Sequence, residues 1–248
     1  MTGRSIPVKW YAEQSWDDWQ RQLRFNNGIE QRYQAFLALT QLGPADKVAA
    51  VTVELLADPA ADLQAAALRW WQTAEQILAD EHAKTVQDHA EKLLATEDPD
   101  VRLEAAATLV RFEPRHREAA GTLLELAQRD DLEPLTMAQL AKLMGGLVTH
   151  ADVTVPLLGQ WLRCDHGEVR EAAATALATL GPDATPQVTE LITALDDEEP
   201  VVREQAALAL GRIGLTSLNI VEALTVATND EDTEVANIAR AALESLKK

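Results

Sequence analysis

Apolar residues recur along this chain in two nested periods. The short one is helical. Val169, Ala173, Ala176 and Leu180 lie at i, i+4, i+7 and i+11, and Val202, Ala206, Ala209 and Ile213 repeat that spacing. Such spacing gathers the residues on one helix face. No alternating apolar/polar run persists long enough to predict a strand. The long period is a phrase: an acidic residue, a short turn, Val-Arg, then an Ala-rich run. Its clearest copies are Asp98–Ala107, Asp165–Ala174 and Glu198–Ala207. With the Arg position as a ruler, the marks fall at Arg32, Gln64, Arg102, Thr136, Arg170, Arg203 and Ala236, at intervals of 32, 38, 34, 34, 33 and 33 residues. A near-constant period of this size is the mark of a solenoid, in which each unit buries its apolar face on its neighbours.

Each marked helix is preceded by another. The pattern predicts first helices over Lys47–Ala57, Ala83–Ala95, Arg117–Gln128, Val153–Leu162 and Thr185–Leu195. Pro59, Pro99, Pro134 and Pro200 fall at or near the first position of the second helices, where proline is favoured. Asp165 and nearby acids are placed to cap or neutralise those helix starts. Gly181 and Gly214 suit left-handed C-caps, and Pro182 bars continuation. The prediction is fourteen helices in seven antiparallel pairs. Ala-Ala pairs at 105–106, 172–173 and 206–207 let neighbouring units approach closely. The interval of 38 residues predicts a long helix from Leu63 to Leu78 carrying Trp70 and Trp71. Adjacent residues point about 100° apart on a helix. Both rings packing between units is the plainer expectation, and one ring serving as a partner anchor is the sharper one.

These residues resemble a HEAT-repeat protein of the short bacterial type grouped with phycobilisome-lyase-like repeats. The resemblance is carried by Asp165, Val169-Arg170, Ala172-Ala173-Ala174, Leu177 and Leu180-Gly181, with equivalents around Arg102 and Arg203. It implies an all-α, right-handed α-solenoid of about seven helix pairs, an armadillo-like superhelix. Residues 1–13 are then an N-terminal extension. Residues 14–248 form one solenoid, with repeats at about 14–43, 44–80, 81–113, 114–149, 150–181, 182–214 and 215–248. The family's Arg commonly pairs with a turn Asp in a ladder, so the Arg residues read as structural. Gln64, Thr136 and Ala236 are departures at which a ladder is expected to break.

Composition narrows the class of work. The 248 residues are 47% hydrophobic and carry a formal net charge of -18. Residues 1–43 hold five cations against four carboxylates, about +1, so the remainder carries about -19. A surface this acidic repels phosphate backbones and argues against nucleic-acid binding; it suits a basic protein partner. No apolar run has membrane-spanning or signal-peptide length, and the single cysteine, Cys164, forms no internal disulfide. The expectation is a cytoplasmic protein, monomeric or weakly dimeric, with Cys164 a buried small hydrophobe.

Seven of the eleven aromatics lie in the first 36 residues: Trp10, Tyr11, Trp16, Trp19, Phe25, Tyr33 and Phe36. They read as the cap of the open end, or else as a docking site. The segment from Asp230 to Lys248 reads as the opposite cap. The histidines, His82, His89, His116, His150 and His166, are scattered and form no His-Glu dipeptide. No phosphate loop or nucleophile elbow is present. No catalytic residue, metal ligand or cofactor is expected.

The resemblance places second helices on the concave side. Projecting the register gives an exposed strip of Arg69, Trp70, Glu104, Arg111, Lys142, Gln205 and Arg212. The expected function is a non-catalytic scaffold or adaptor that binds another protein there. The alternative is a tetrapyrrole lyase-like or chaperone-like HEAT protein.

Overall fold

The structure is a computed structural model describing residues 14–24, 27–73 and 82–247. Trp10, Tyr11 and Phe25, and the end of the helix predicted to reach Leu78, lie outside the described residues. So does Lys248 of the C-terminal cap. Among the described residues there are fourteen α-helices and no strand. The chain separates into two compact units, Met1–Phe112 and Glu113–Lys248.

The N-terminal unit holds three helix pairs: α1 (Trp16–Gln22) with α2 (Ile29–Leu42), α3 (Ala45–Leu55) with α4 (Ala61–Thr73), and α5 (Ala83–Leu93) with α6 (Pro99–Phe112). The C-terminal unit holds four. These are α7 (Arg117–Ala127) with α8 (Pro134–Met144), α9 (Ala151–Trp161) with α10 (Gly167–Leu180), α11 (Val188–Ala194) with α12 (Pro200–Ile213), and α13 (Leu218–Ala227) with α14 (Thr233–Ser245). Every pair falls where the 33-residue phrase places it.

Local chemistry accounts for the starts and stops. Ser15 and Asp18 form a reciprocal capping box on α1. Asp98 Oδ1 accepts from the Asp100 and Val101 amides at 3.0 and 3.1 Å, and Asp232 caps α14 through the Glu234 and Val235 amides. Asp165 does not have this role: the N-cap residue of α10 is His166, without a side-chain cap bond. Gly214 is left-handed at φ 76°, as expected. Gly181 has φ 57° and leads into a 3-10 stretch, Gly181–Gln187, so α11 starts at Val188 and not at Thr185. Pro182 and Pro186 lie in that stretch, and their missing amides interrupt an α-helical ladder.

The second helices stack on one another: α4 on α6, then α8 on α10, α10 on α12 and α12 on α14. Ala105, Ala106, Ala172, Ala173, Ala206 and Ala207 are at most 1% exposed. The approach is backbone-close. A Cβ placed on Gly211 would stand 2.8 Å from the Ala242 Cβ, and one on Gly145 3.0 Å from the Ala176 Cα. Small residues are therefore required, because a larger side chain at these seams forces the helices apart.

The motif arginines tie successive repeats together at their turns. Arg32 pairs with Asp58, Arg170 with Asp197 and Arg203 with Asp230. Arg170 Nε and Nη2 reach the two Asp197 oxygens at 2.7 and 2.9 Å, and Arg203 holds Asp230 in the same fork at 2.8 and 2.9 Å. Each aspartate also accepts from a turn amide, that of Ala60, Glu199 or Asp232. Arg203 Nη1 donates back to the Asp197 carbonyl at 2.8 Å, so the last two rungs are continuous.

The partner aspartate stands six residues before the next mark. By that rule Gln64 would face Thr96, and Thr136 would face Cys164. Where the arginine is missing, the acid is missing too. That spares the fold a buried charge without its counterion, which is strongly destabilising. Cys164 thus occupies an acid position. It is half-buried and not fully enclosed, with its Sγ 3.5 Å from the His166 carbonyl.

Candidate partner-binding face

The predicted strip lies on second helices in both units. In the N-terminal unit, Arg69 and Trp70 are on α4, and Glu104 and Arg111 are on α6. Only Arg69 and Glu104 are brought together directly. Arg69 Nε and Nη2 donate to Glu104 Oε1 at 2.9 and 2.7 Å. Glu104 was expected to be exposed; it is 1% exposed and faces the α4–α6 seam. Gln72 donates to Glu104 Oε2 at 2.8 Å and to Thr108 Oγ1 at 3.3 Å, and the Thr108 hydroxyl donates to the Glu104 carbonyl at 2.7 Å. A carboxylate can enter the seam because this network satisfies it. The register reading missed Gln72 and Thr108. The available signal was Glu104 and Thr108 one turn apart, next to the Ala run, with Arg69 one repeat earlier.

Trp70 and Trp71 divide the work of their helix. Trp71 is 1% exposed and packs toward Phe112, with ring centroids 6.4 Å apart. Trp70 is half-buried and meets Trp71 edge-on, at 5.3 Å and 89°. Of the described N-terminal aromatics, Trp19 and Phe36 are core residues at 7% and 3% exposure. Trp16 closes over Gly43, with Lys47 Nζ 5.8 Å from its ring.

In the C-terminal unit, Lys142 lies exposed on α8, and Gln205 and Arg212 lie half-buried and exposed on α12. Arg212 Nη1 reaches the Ala178 carbonyl of α10 at 3.4 Å. Arg111, Lys142 and Arg212 all occupy last turns of second helices. The carboxylates Glu30, Asp62, Asp100, Glu168 and Glu234 occupy first turns. Each sign sits at the helix end whose partial charge it opposes. Among the described second helices, α6, α8 and α12 carry a base in the last turn, and α2, α4, α10 and α14 do not. Of the strip read from the sequence, Arg111, Lys142 and Arg212 stand at helix ends, while Glu104 is buried and paired with Arg69.

Carboxylates crowd one another in the C-terminal unit. Burial raises the Glu204 carboxyl pKa, and the charges of Glu234, Asp232 and Glu171 raise it further. The ladder behaves oppositely. The Arg203 hydrogen bond lowers the Asp230 pKa against the effect of burial. At Asp197, burial pushes up, but the Arg170 hydrogen bond, the Glu199 amide and the Arg170 and Arg203 charges together hold it down.

Three of the histidines are engaged in local hydrogen bonding. His116 Nδ1 accepts the Ala119 amide at the start of α7, His89 Nδ1 is 2.8 Å from the Thr85 carbonyl, and His150 Nδ1 is 3.0 Å from Thr149 Oγ1. Among the described residues, no three His, Cys, Asp or Glu side chains converge as a metal site, and no helix is long and apolar enough to cross a membrane.

Residues 155–246 match the family model for HEAT repeats. The fold of helix pairs is shared with solved repeat proteins. An engineered protein from a structural genomics consortium superposes with a TM-score of 0.66 at 22% identity, covering 97% of this chain and 70% of that one. A designed armadillo repeat protein in complex with the peptide (KR)4 superposes at 0.58 and 18% identity, covering 79% and 98%. Residues 155–246 thus match HEAT repeats, and the chain shares the fold of α-solenoid repeat proteins. At such identities the solved structures speak for the fold alone. YibA of E. coli covers its whole length, 100% of this chain and 99% of that one, at a TM-score of 0.55 and 16% identity. No curated protein matches the sequence.

Proposed function

We propose that this helical-repeat protein is a non-catalytic scaffold or adaptor that binds a partner protein along its second helices. The observation that carries the reading is that the buried sides of the second helices are spent on Ala seams and Arg–Asp ties, while exposed cations end them, Arg111 in the N-terminal unit and Lys142 and Arg212 in the C-terminal unit. A similarly folded designed armadillo protein is in complex with a basic peptide, which supports peptide or protein binding as the work of such helices. The net charge of -18 favours a partner whose surface is basic where it meets the carboxylates, with acidic groups of its own facing Arg111 and Arg212.

The test reverses charge at the exposed basic helix ends. Arg111→Glu with Arg212→Glu should weaken capture of a genuine partner by about tenfold or more, about 1.4 kcal/mol, while each reversed helix-end charge costs the fold only about 0.3–1 kcal/mol, so the variant stays folded in the assay. The readout is affinity capture from native extract with parent and variant side by side, followed by calorimetric titration of the recovered partner. Equal affinity of parent and variant refutes this placement of the binding face.

A further inference from the structure

A groove of about 490 Å³ opens in the N-terminal unit where α2, α4 and α6 begin. Its apolar walls are Ile29 and Tyr33 of α2 and Ala61 and Ala65 of α4. Ile29 is 44% exposed, and the Tyr33 ring is half-buried beside it. Four carboxylates, Glu30, Asp62, Asp98 and Asp100, line the same space. Among the described residues Arg69 is the one cation lining it, and it is already held by the buried Glu104. The groove thus joins an unpartnered apolar face to an excess of negative charge.

That combination fits a long cationic side chain. A lysine or arginine buries its methylene stem on apolar surface and keeps its charged head among polar groups. An aromatic wall adds attraction for the cation. An acidic or purely apolar ligand would leave several carboxylates facing it without counterions. The three carboxylates Glu30, Asp62 and Asp100 stand two residues before successive repeat marks, so consecutive repeats present them in a row.

We propose that this groove is a docking site for a Lys/Arg-rich segment of a partner protein. The proposal rests on the scaffold reading and names the partner's chemistry at one place on it. Arginine or lysine heads engage Glu30, Asp62 and Asp100, and their stems lie on Ile29 and Tyr33. Asp98 is committed to the α6 cap and helps as a background charge.

The test titrates the peptide (Lys-Arg)4 into the full chain by calorimetry at low and physiological salt. The groove variant is Glu30→Gln/Asp62→Asn/Asp100→Asn. The control, Asp46→Asn/Glu54→Gln/Glu91→Gln, removes the same charge from exposed positions of α3 and α5. A third variant, Ala61→Lys, keeps every carboxylate and fills the groove with a tethered ammonium, which guards against a triple variant that fails to fold. The expected result is binding by the parent, at least about tenfold weaker binding by the groove variant and by Ala61→Lys, and less than about twofold change in the control. Equal weakening in groove and control variants would mean diffuse attraction to an acidic surface and would overturn the groove. So would a parent that does not bind, or an Ala61→Lys variant that binds normally. None of these outcomes touches the scaffold reading, which stands or falls on the Arg111 and Arg212 reversal.

Discussion

Replacing Arg203 with methionine removes the best-formed tie between two repeats. Arg203 and Asp230 side chains are 9% and 10% exposed, and the guanidinium makes two short bonds to the carboxylate and one to the Asp197 carbonyl. In Arg203→Met, Asp230 keeps only the Asp232 amide and becomes a nearly buried charge without its counterion. Breaking such a pair costs about 3–5 kcal/mol. For a chain of this size, that lowers the melting temperature by roughly 6–20 °C, at about 2–4 °C per kcal/mol. The pH dependence has a definite sign. Asp230 titrates below its ordinary value because of Arg203, so its contribution is present above about pH 4 and is lost as pH falls through the lower folded value. The gap between parent and variant should be full at pH 7 and close in acid. Urea unfolding across pH 3–7 measures it. Adding Asp230→Asn to Arg203→Met should recover part of the loss, with a coupling of at least about 1 kcal/mol. A single variant within about 0.5 kcal/mol of the parent at pH 7 would refute the view that these arginines hold the stack together.

Two further outcomes test packing and charge. Ala173 is 0% exposed in the seams of α10, so Ala173→Leu should destabilise by about 1–3 kcal/mol, and an unchanged melting curve would count against the register. Glu204 is raised by burial and by Glu234, Asp232 and Glu171, so its ionised form opposes folding at neutral pH. Glu204→Gln should therefore raise the melting temperature at pH 7, and the gain should vanish below the ordinary Glu range, where parent Glu204 is protonated in both states. A gain that persists at pH 3 would assign it to something other than charge.

Much of the fold was legible because repeats are local. The 33-residue phrase, the 3.6-residue periodicity and the turn prolines place all fourteen helices, and first helices such as Ala83–Leu93 and Arg117–Ala127 begin at the predicted residue. Those predicted from Lys47 and Val153 begin two residues earlier, and the larger shift at α11 arises from Pro182 and Pro186, whose joint effect on a short stretch is not a periodic signal. Function was less legible. The predicted strip named Arg69, Arg111, Lys142 and Arg212 at exposed positions, but register projection assigned Glu104 to the surface. A helical wheel reports angle and not depth. Whether a polar residue at the seam is exposed or enclosed depends on the neighbouring helix, here on whether Arg69 and Gln72 are there to receive it.

The sequence by itself determined the repeat, the helix pairs, the small-residue seams and the acidic character, since each follows from residues close in the chain or from their sum. The tertiary structure alone decided the pairings across repeats. Arg32, Arg170 and Arg203 each find an aspartate 26 or 27 residues later, in the next turn. It also decided the enclosure of Glu104 by Arg69 and Gln72 and the joining of Glu30, Asp62 and Asp100 around one groove. These are contacts between residues a full repeat apart. Stacking supplies the proximity, and electrostatic attraction and burial act only once that proximity exists.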